Sequence, residues 1–191
     1  MISEDKKIKT RAQLKEYLDV ELQRYPMSLR RVLPYIFQVS EGAILHRHTV
    51  LLRRTEYYTN TGRRLLAALS RARLIRFQNR YGIHVPLNAF GKGLIVRHVA
   101  PIIMNGDITV GENCVVHAFS CVVYSGGRNE GVPTLGDNVV IGIGAKIVGN
   151  VTIADNITIG AGAVVTKSFL EPGITIAGVP ARKIGDGNCV F

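Results

Sequence analysis

From Leu135 to Val165 a branched aliphatic residue recurs at every sixth position: Leu135, Ile141, Ile147, Ile153, Ile159 and Val165. A period of six matches neither the 3.6-residue repeat of a helix nor the two-residue alternation of a half-buried strand. It matches a parallel β-helix in which each six-residue stretch forms one side of a triangular coil. The aliphatic then fills the interior. Val139, Ala145, Val151, Ile157 and Ala163 stand four positions after it, and Gly136, Gly142 and Gly160 follow it directly. These glycines are expected to turn the corners at positive φ, which costs glycine nothing. The winding is expected to be left-handed, an exception to the usual right-handed crossover.

Upstream, the same period runs through Met104, Val110, Val116 and Val122. Its continuation would fall on 128 and 134, yet the repeat resumes at Leu135, so the register slips by one residue. The slip lies in an excursion over 124–133, whose Gly, Asn and Pro residues break regular structure. Loops thrown out of a solenoid often carry function, and a harmless insertion would leave the same trace.

The first 82 residues follow a helical pattern. Thr10 and Gln13 have capping-box spacing ahead of an apolar stripe of Leu14, Tyr17, Leu18 and Leu22, with Pro26 as the stop. A second helix is expected from about Ser40 to Tyr58. A third, capped by Thr61 and stopped by Gly82, places Leu65, Ala68, Leu69, Ala72 and Ile75 on one face. These helices need a surface to cover, and the open first coil of a solenoid needs a cap. The expected architecture is mostly β: a left-handed parallel β-helix over 83–185, an N-terminal α-helical region over 1–82 and a tail over 186–191. The stretch Ile174–Ile184 is expected to close the far end of the coil.

The net charge of +10 is uneven. Residues 1–100 hold 19 Lys and Arg against 7 Asp and Glu, whereas residues 101–191 hold 5 against 7. From Arg47 to Arg80 there are nine arginines and one acid, Glu56. This surplus suits an anionic partner, such as lipid head groups at a membrane surface or a diphosphate-linked acceptor; solvated helix faces and ion pairs give the same composition. No recognition motif for nucleic acid accompanies the charge. The apolar stretch Val32–Leu45 is interrupted by Pro34, Gln38 and Glu41 and is too short to span a bilayer, and the charged start does not suit a signal peptide. Cys114, Cys121 and Cys189 form no disulfide framework and read as free thiols in a cytoplasm, with the inner face of the membrane as a further location.

The segments Ile141-Gly-Ile-Gly-Ala-Lys-Ile-Val-Gly149, Ile159-Gly-Ala-Gly-Ala-Val-Val-Thr-Lys167 and Ala177-Gly-Val-Pro-Ala-Arg182 resemble the hexapeptide-repeat acyltransferases. The branch they resemble most is that of the serine acetyltransferases and their relatives in capsule and exopolysaccharide clusters. The resemblance spans about residues 80–185. It implies acetyl-CoA as co-substrate, a homotrimer with active sites between neighbouring coils, and a histidine general base. By position that base is His98, in Gly93-Leu-Ile-Val-Arg-His98. A neutral imidazole can take the proton of a hydroxyl as it attacks a thioester. His117, one coil later, is a candidate for contact with the acceptor. His84 would orient His98 or merely cap a strand. His46 and His48 read as structural. No metal is expected, because His84, His98 and His117 are too widely spaced for a zinc set. For CoA the resemblance points to Ala145, Ala163, Thr166, Lys167, Arg182 and Lys183.

Departures from the pattern bear on the acceptor. Serine-using members that the chain resembles carry an Asp where Arg97 stands, a second His at Val132, a Glu at Gly106, and a base-orienting Asp at about Ile83. Carboxylates would pair with the ammonium of serine, and Arg97 reverses that preference. The expected acceptor is therefore a sugar hydroxyl on a glycan or its lipid-linked precursor. Serine O-acetylation is the alternative, and a non-catalytic coil is a third reading.

Overall fold

The computed structural model describes residues 7–25 and 40–187. Pro26, Cys189 and the end of the tail lie outside these residues. Three helices come first: α1 (Arg11–Leu22), α2 (Glu41–Asn60) and α3 (Arg64–Tyr81). Thr10 caps α1 through the expected reciprocal box with Gln13, and Ser40 caps α2. Gly82 ends α3 in the left-handed region at φ 73°. Thr61 does not start α3. Its hydroxyl donates back to Tyr57 O at 2.7 Å and closes the end of α2, so α3 starts at Arg64 without a side-chain cap.

The rest of the chain forms a triangular parallel coil of three sheets. One sheet stacks β1 (Ile83–His84), β3 (Ile102–Met104), β6 (Cys121–Val123), β9 (Lys146–Val148) and β12 (Val164–Val165). The second stacks β4 (Thr109–Val110), β7 (Thr134–Leu135) and β10 (Thr152–Ile153). The third stacks β2 (Ile95–Arg97), β5 (Val115–His117), β8 (Val140–Ile141), β11 (Thr158–Ile159) and β13 (Ile174–Gly178), and ends on β14 (Ala181–Asp186). Every pairing between the strands of the coil is parallel except β13 with β14, which turns back on the third sheet. Val140 pairs with Thr158 and Lys146 with Val164, one 18-residue turn apart. Val115 pairs with Val140, 25 residues on, so the excursion adds seven residues. Seven is one more than a hexad, which is why the sequence pattern slips by one.

The hexad aliphatics Ile141, Ile147, Ile159 and Val165 are fully buried, and so are Ala145, Ile157 and Ala163 four positions after hexad residues. The glycines that follow the aliphatics do not have positive φ. Their constraint is contact with the next coil. A Cβ on Gly136 would lie 2.1 Å from Asp155 Oδ1, and one on Gly142 would lie 2.5 Å from Ile159 O. The left-handed corner positions fall two residues later in the Gly-Asp-Asn triplet, on Asn138 (φ 56°), with Asn113 (φ 56°) and Asn156 (φ 59°) stacked above and below. Asparagine tolerates this region better than other side-chain-bearing residues. The aspartates form a parallel ladder, in which Asp155 Oδ1 accepts from Asp137 N and Asp137 Oδ1 accepts from Glu112 N, both at 2.7 Å.

The helices cap the open first coil through side chains. Arg53 of α2 is fully buried and donates to Phe90 O at 3.1 Å and Gly91 O at 2.8 Å. It also grips Glu21 of α1 at 2.6 Å and Glu56 at 2.9 Å. Glu21 Oε1 accepts from Gly93 N and Leu94 N, and Glu56 Oε1 accepts from Asn88 N. The Tyr25 hydroxyl donates to Val96 O at 2.7 Å and accepts from Val96 N at 2.9 Å, and Gln78 donates to Val85 O. Groups that would otherwise be an unpaired sheet edge are thereby satisfied. Leu45, Leu52 and Leu74 of the helices join one continuous core with Ile83, Phe90 and the hexad aliphatics. The expected apolar face of α3 is not the buried one. Leu65, Leu69 and Ile75 are exposed, and Ser70, Leu74, Phe77 and Gln78 face inward. Among the described residues no helix is long and apolar enough to cross a membrane.

Two outcomes follow. Arg53→Leu leaves Glu21 and Glu56 buried without their partner and should cost about 3–5 kcal/mol in chemical denaturation; a loss below about 1 kcal/mol would contradict the capping role. His48, fully buried against Phe77, has its pKa pushed down to about 4 by burial and then by the positive Arg53. The unfolded chain takes up a proton near pH 6.5 that folded His48 refuses until about pH 4, so stability falls as pH drops through that window. The loss should reach about 3 kcal/mol at its foot. His48→Leu should flatten that part of the curve, read by urea denaturation across the window; an unchanged slope would refute the assignment.

Candidate active site

His98 stands at the corner between the third sheet and the first. Val96 pairs with Val116 and Met104 with Val122, so eight positions here match six in the next coil. Two extra residues push the corner outward. The backbone of His98 is held at φ 70°, unusual for a residue with a side chain. Non-glycine residues in this region cost energy that the surrounding structure must offset, and they cluster at functional sites. The next coil repeats the oddity at Phe119, with φ 61°, whose amide donates to Pro101 O at 2.8 Å. Phe119 and Ile143 are exposed near this corner column. The hexad pattern offered no signal for either.

Glu41, the first residue of α2, brings a carboxylate to this corner. Its Oε1 lies 3.3 Å from His98 Nδ1 and accepts from Val99 N at 2.7 Å. Position 83, where the resemblance would put an orienting carboxylate, is Ile83, fully buried in β1 and paired with Ile102. The carboxylate beside the imidazole thus comes from a helix and not from the coil. A clue lay in the sequence, since Glu41 and Glu56 are the only acids between Glu21 and Asp107. Glu56 is occupied by Arg53. Both partners of the new pair are open, His98 at 61 % and Glu41 at 50 % side-chain exposure, so this chain alone does not exclude water from the imidazole.

The structure brings His117 beside this pair. Arg97 and His117 are register partners in β2 and β5. Burial, followed by the electrostatic influence of Arg97 and His98, lowers the His117 pKa. Its Nδ1 is buried and has no hydrogen-bond partner among the described residues. His84 is exposed in β1, in register with Ile103, and none of the described contacts joins it to His98.

The residues expected to hold CoA divide. Ala145 and Ala163 are core residues whose amides already donate to Gly142 O and Gly160 O at 3.1 and 3.2 Å, so they offer neither side chain nor free N–H to a ligand. Lys183 is bound to Asp186 at 2.6 Å and Glu171 at 2.7 Å, which neutralise it. Thr166, Lys167 and Arg182 are exposed, with Lys167 over the Phe169 ring at 5.4 Å. Their exposure and charge fit phosphate recognition. The excursion reaches this region: Asn129 Nδ2 donates to Val148 O at 3.4 Å and Thr166 O at 3.3 Å. It closes on itself through Ser125 and Gly131 and through Tyr124 OH to Glu130 at 3.0 Å.

Residues 133–167 match the family described as bacterial transferase hexapeptide (six repeats). No curated protein matches the chain in sequence. Among solved structures, the fold is similar to that of serine acetyltransferases. That of Neisseria gonorrhoeae is 24 % identical over 94 % of this chain and 67 % of its own, with a TM-score of 0.64. Soybean serine acetyltransferase in complex with serine is 23 % identical over 90 % of this chain and 69 % of its own, at 0.64. A serine acetyltransferase in complex with CoA is 18 % identical over 91 % and 71 %, at 0.65. At these identities the likeness establishes the shared fold.

Gly149, at φ 87°, is where the excursion rests. A Cβ there would lie 2.5 Å from Asn129 Nδ2 and 2.6 Å from Asn129 O. Gly149→Ala should unseat the excursion while leaving the coil intact. Limited proteolysis should then cut within 124–133 in the variant and not in the parent; equal resistance would show that Asn129 does not anchor the loop.

Proposed function

We propose that the chain is an acetyl-CoA-dependent O-acetyltransferase with His98 as general base. The observation that carries this reading is the His98 corner itself, an imidazole in a left-handed backbone position with a carboxylate 3.3 Å from Nδ1. The transferase repeats over 133–167 and the serine acetyltransferase neighbours support an acyltransferase, and the CoA complex of one neighbour supports the donor. Lys167 and Arg182 would meet the donor's phosphates, beside Thr166.

Glu41 would hold the proton of His98 on Nδ1 and leave Nε2 as the base. Nε2 takes the acceptor's hydroxyl proton as the oxygen bonds to the thioester carbonyl carbon. When the carbon–sulfur bond breaks, the proton passes from the imidazolium to the departing thiolate. Glu41 stabilises the cationic ring between the two steps, and no acyl-enzyme is needed. The exposure of His98 supports an assembly in which a neighbouring coil of a homotrimer covers the base. Left-handed winding, a cytoplasmic location and contact of the basic N-terminal half with the inner membrane surface belong to the same reading.

The neighbours favour L-serine over a sugar as acceptor. The geometry removes part of the objection drawn from the sequence. A free amino acid needs a cation for its carboxylate and an anion for its ammonium, and the candidates for that pair would be Arg97, adjacent to His98 in the chain, and Glu41, 3.3 Å from its ring. Serine is therefore the leading acceptor, which reverses the expectation from sequence. A sugar hydroxyl is the second reading on one observation: Val132 stands where the serine-using members that the chain resembles carry a second histidine.

The test is thiol release from acetyl-CoA with L-serine or a panel of sugars and glycan fragments, each with His98→Ala beside the parent. Turnover on serine, lost in the variant, establishes serine O-acetylation; turnover on sugars alone establishes the second reading. Glu41→Gln should lower kcat by about tenfold or more and shift the pH profile. No turnover with any acceptor, or a His98→Ala variant as fast as the parent, would overturn the proposal.

A further inference from the structure

A cleft of about 370 Å³ opens between α2 and α3 and is lined by Arg47, Leu51, Arg73, Arg76, Phe77 and Arg80. That volume lies within the range of small-molecule sites. Arg73, Arg76 and Arg80 are spaced at three and four residues, so they share one face of α3, and Arg47 faces them from α2. Among the described residues none of the four has an ion-pair partner. The neighbouring sequence has no counter-charge to offer, because residues 22–106 contain only Glu41 and Glu56, and both are engaged elsewhere.

Four guanidinium groups around one concavity repel one another, and nothing in the fold requires them there. Leu51 and Phe77 line the floor, and Arg80 lies over the Tyr81 ring at 5.6 Å. The type of cation is also selective. Between Lys15 and Lys92 every basic residue other than histidine is arginine. A surface that only needed solubility would be served by lysine, whereas the planar fork of arginine matches phosphate oxygens in pairs.

We propose that this cleft binds a ligand bearing a diphosphate or two closely placed phosphate groups, with its organic part over Leu51 and Phe77. The site does not depend on the acetyl-transfer reading and uses none of the residues placed in it. The same chemistry is offered by a soluble phosphorylated compound and by a lipid phosphate head group.

The experiment is calorimetric titration of the full chain with inorganic pyrophosphate at low salt. The parent should bind saturably, and Arg73→Gln/Arg76→Gln should bind at least about tenfold more weakly. A second pair, Arg47→Gln/Arg80→Gln, should behave alike, and Arg11→Gln/Lys15→Gln on α1 should match the parent. Thermal melts verify that each variant is folded. Co-sedimentation with phosphatidylcholine vesicles containing phosphatidic acid separates the sources. Pelleting that both cleft pairs lose marks a lipid phosphate, and absence of pelleting beside intact pyrophosphate binding marks a soluble ligand. Absence of pyrophosphate binding by the parent, or equal binding by the folded cleft variants, would overturn the proposal.

Discussion

One buried guanidinium holds the two halves of this protein together. Arg53 reaches across from α2 to a carboxylate on α1, to a second on its own helix, and to two carbonyls of the first coil. Burial works against its charge, and Glu21 and Glu56 more than offset that, holding it protonated above its ordinary range. Such a network adds little stability over a well-packed apolar substitute, but it is intolerant of a missing partner. It is also directional in a way that leucines are not. Five donors in a fixed plane meet the acceptors in one arrangement only, so the helices dock on the coil in a single register.

The candidate active site inherits that register. Tyr25 grips Val96, two residues before His98, and burial pushes its hydroxyl up to about 12, so it stays protonated as a donor. Glu41 holds Val99 and faces His98. His98 thus lies between two contacts made by the helical cap. A change that loosened the cap would move Glu41 away from the imidazole before it disturbed the hexad core. The packing of the N-terminal region and the geometry of the candidate site are linked through these few hydrogen bonds.

The coil was legible in the sequence because its cause is periodic. An interior one side chain wide demands an aliphatic every sixth residue, and Ile141, Ile147 and Ile159 show that demand directly. The helix ends were legible where local chemistry decides them, at Thr10, Ser40 and Gly82. Thr61 misled because a hydroxyl can close the preceding helix as readily as open the next. The glycines were placed correctly and explained wrongly, since close approach and positive φ both select glycine and only coordinates separate them. The Arg53 network was not legible, and Glu41 left only the clue of its rarity as an acid, not its place beside His98. They join positions tens of residues apart, and single residues that meet only in space leave no period. The exposed apolar face of α3 shows the limit of the helical stripe rule, which finds a face and cannot say what it meets.

The two ends of the coil have a consequence for the protein in bulk. A parallel solenoid is a stack of identical rungs, and an uncovered terminal rung presents the same hydrogen-bonding template as every interior one. Copies of such a molecule could add end to end, much as strands add to a fibril. Here the first rung is covered by side chains of helices, which carry no strand template of their own. At the other end the third sheet finishes on β14, which runs antiparallel to β13, against the parallel order of the rungs. The two ends therefore disfavour end-to-end addition by different means, with helices over the first rung and an antiparallel strand on the third sheet at the last.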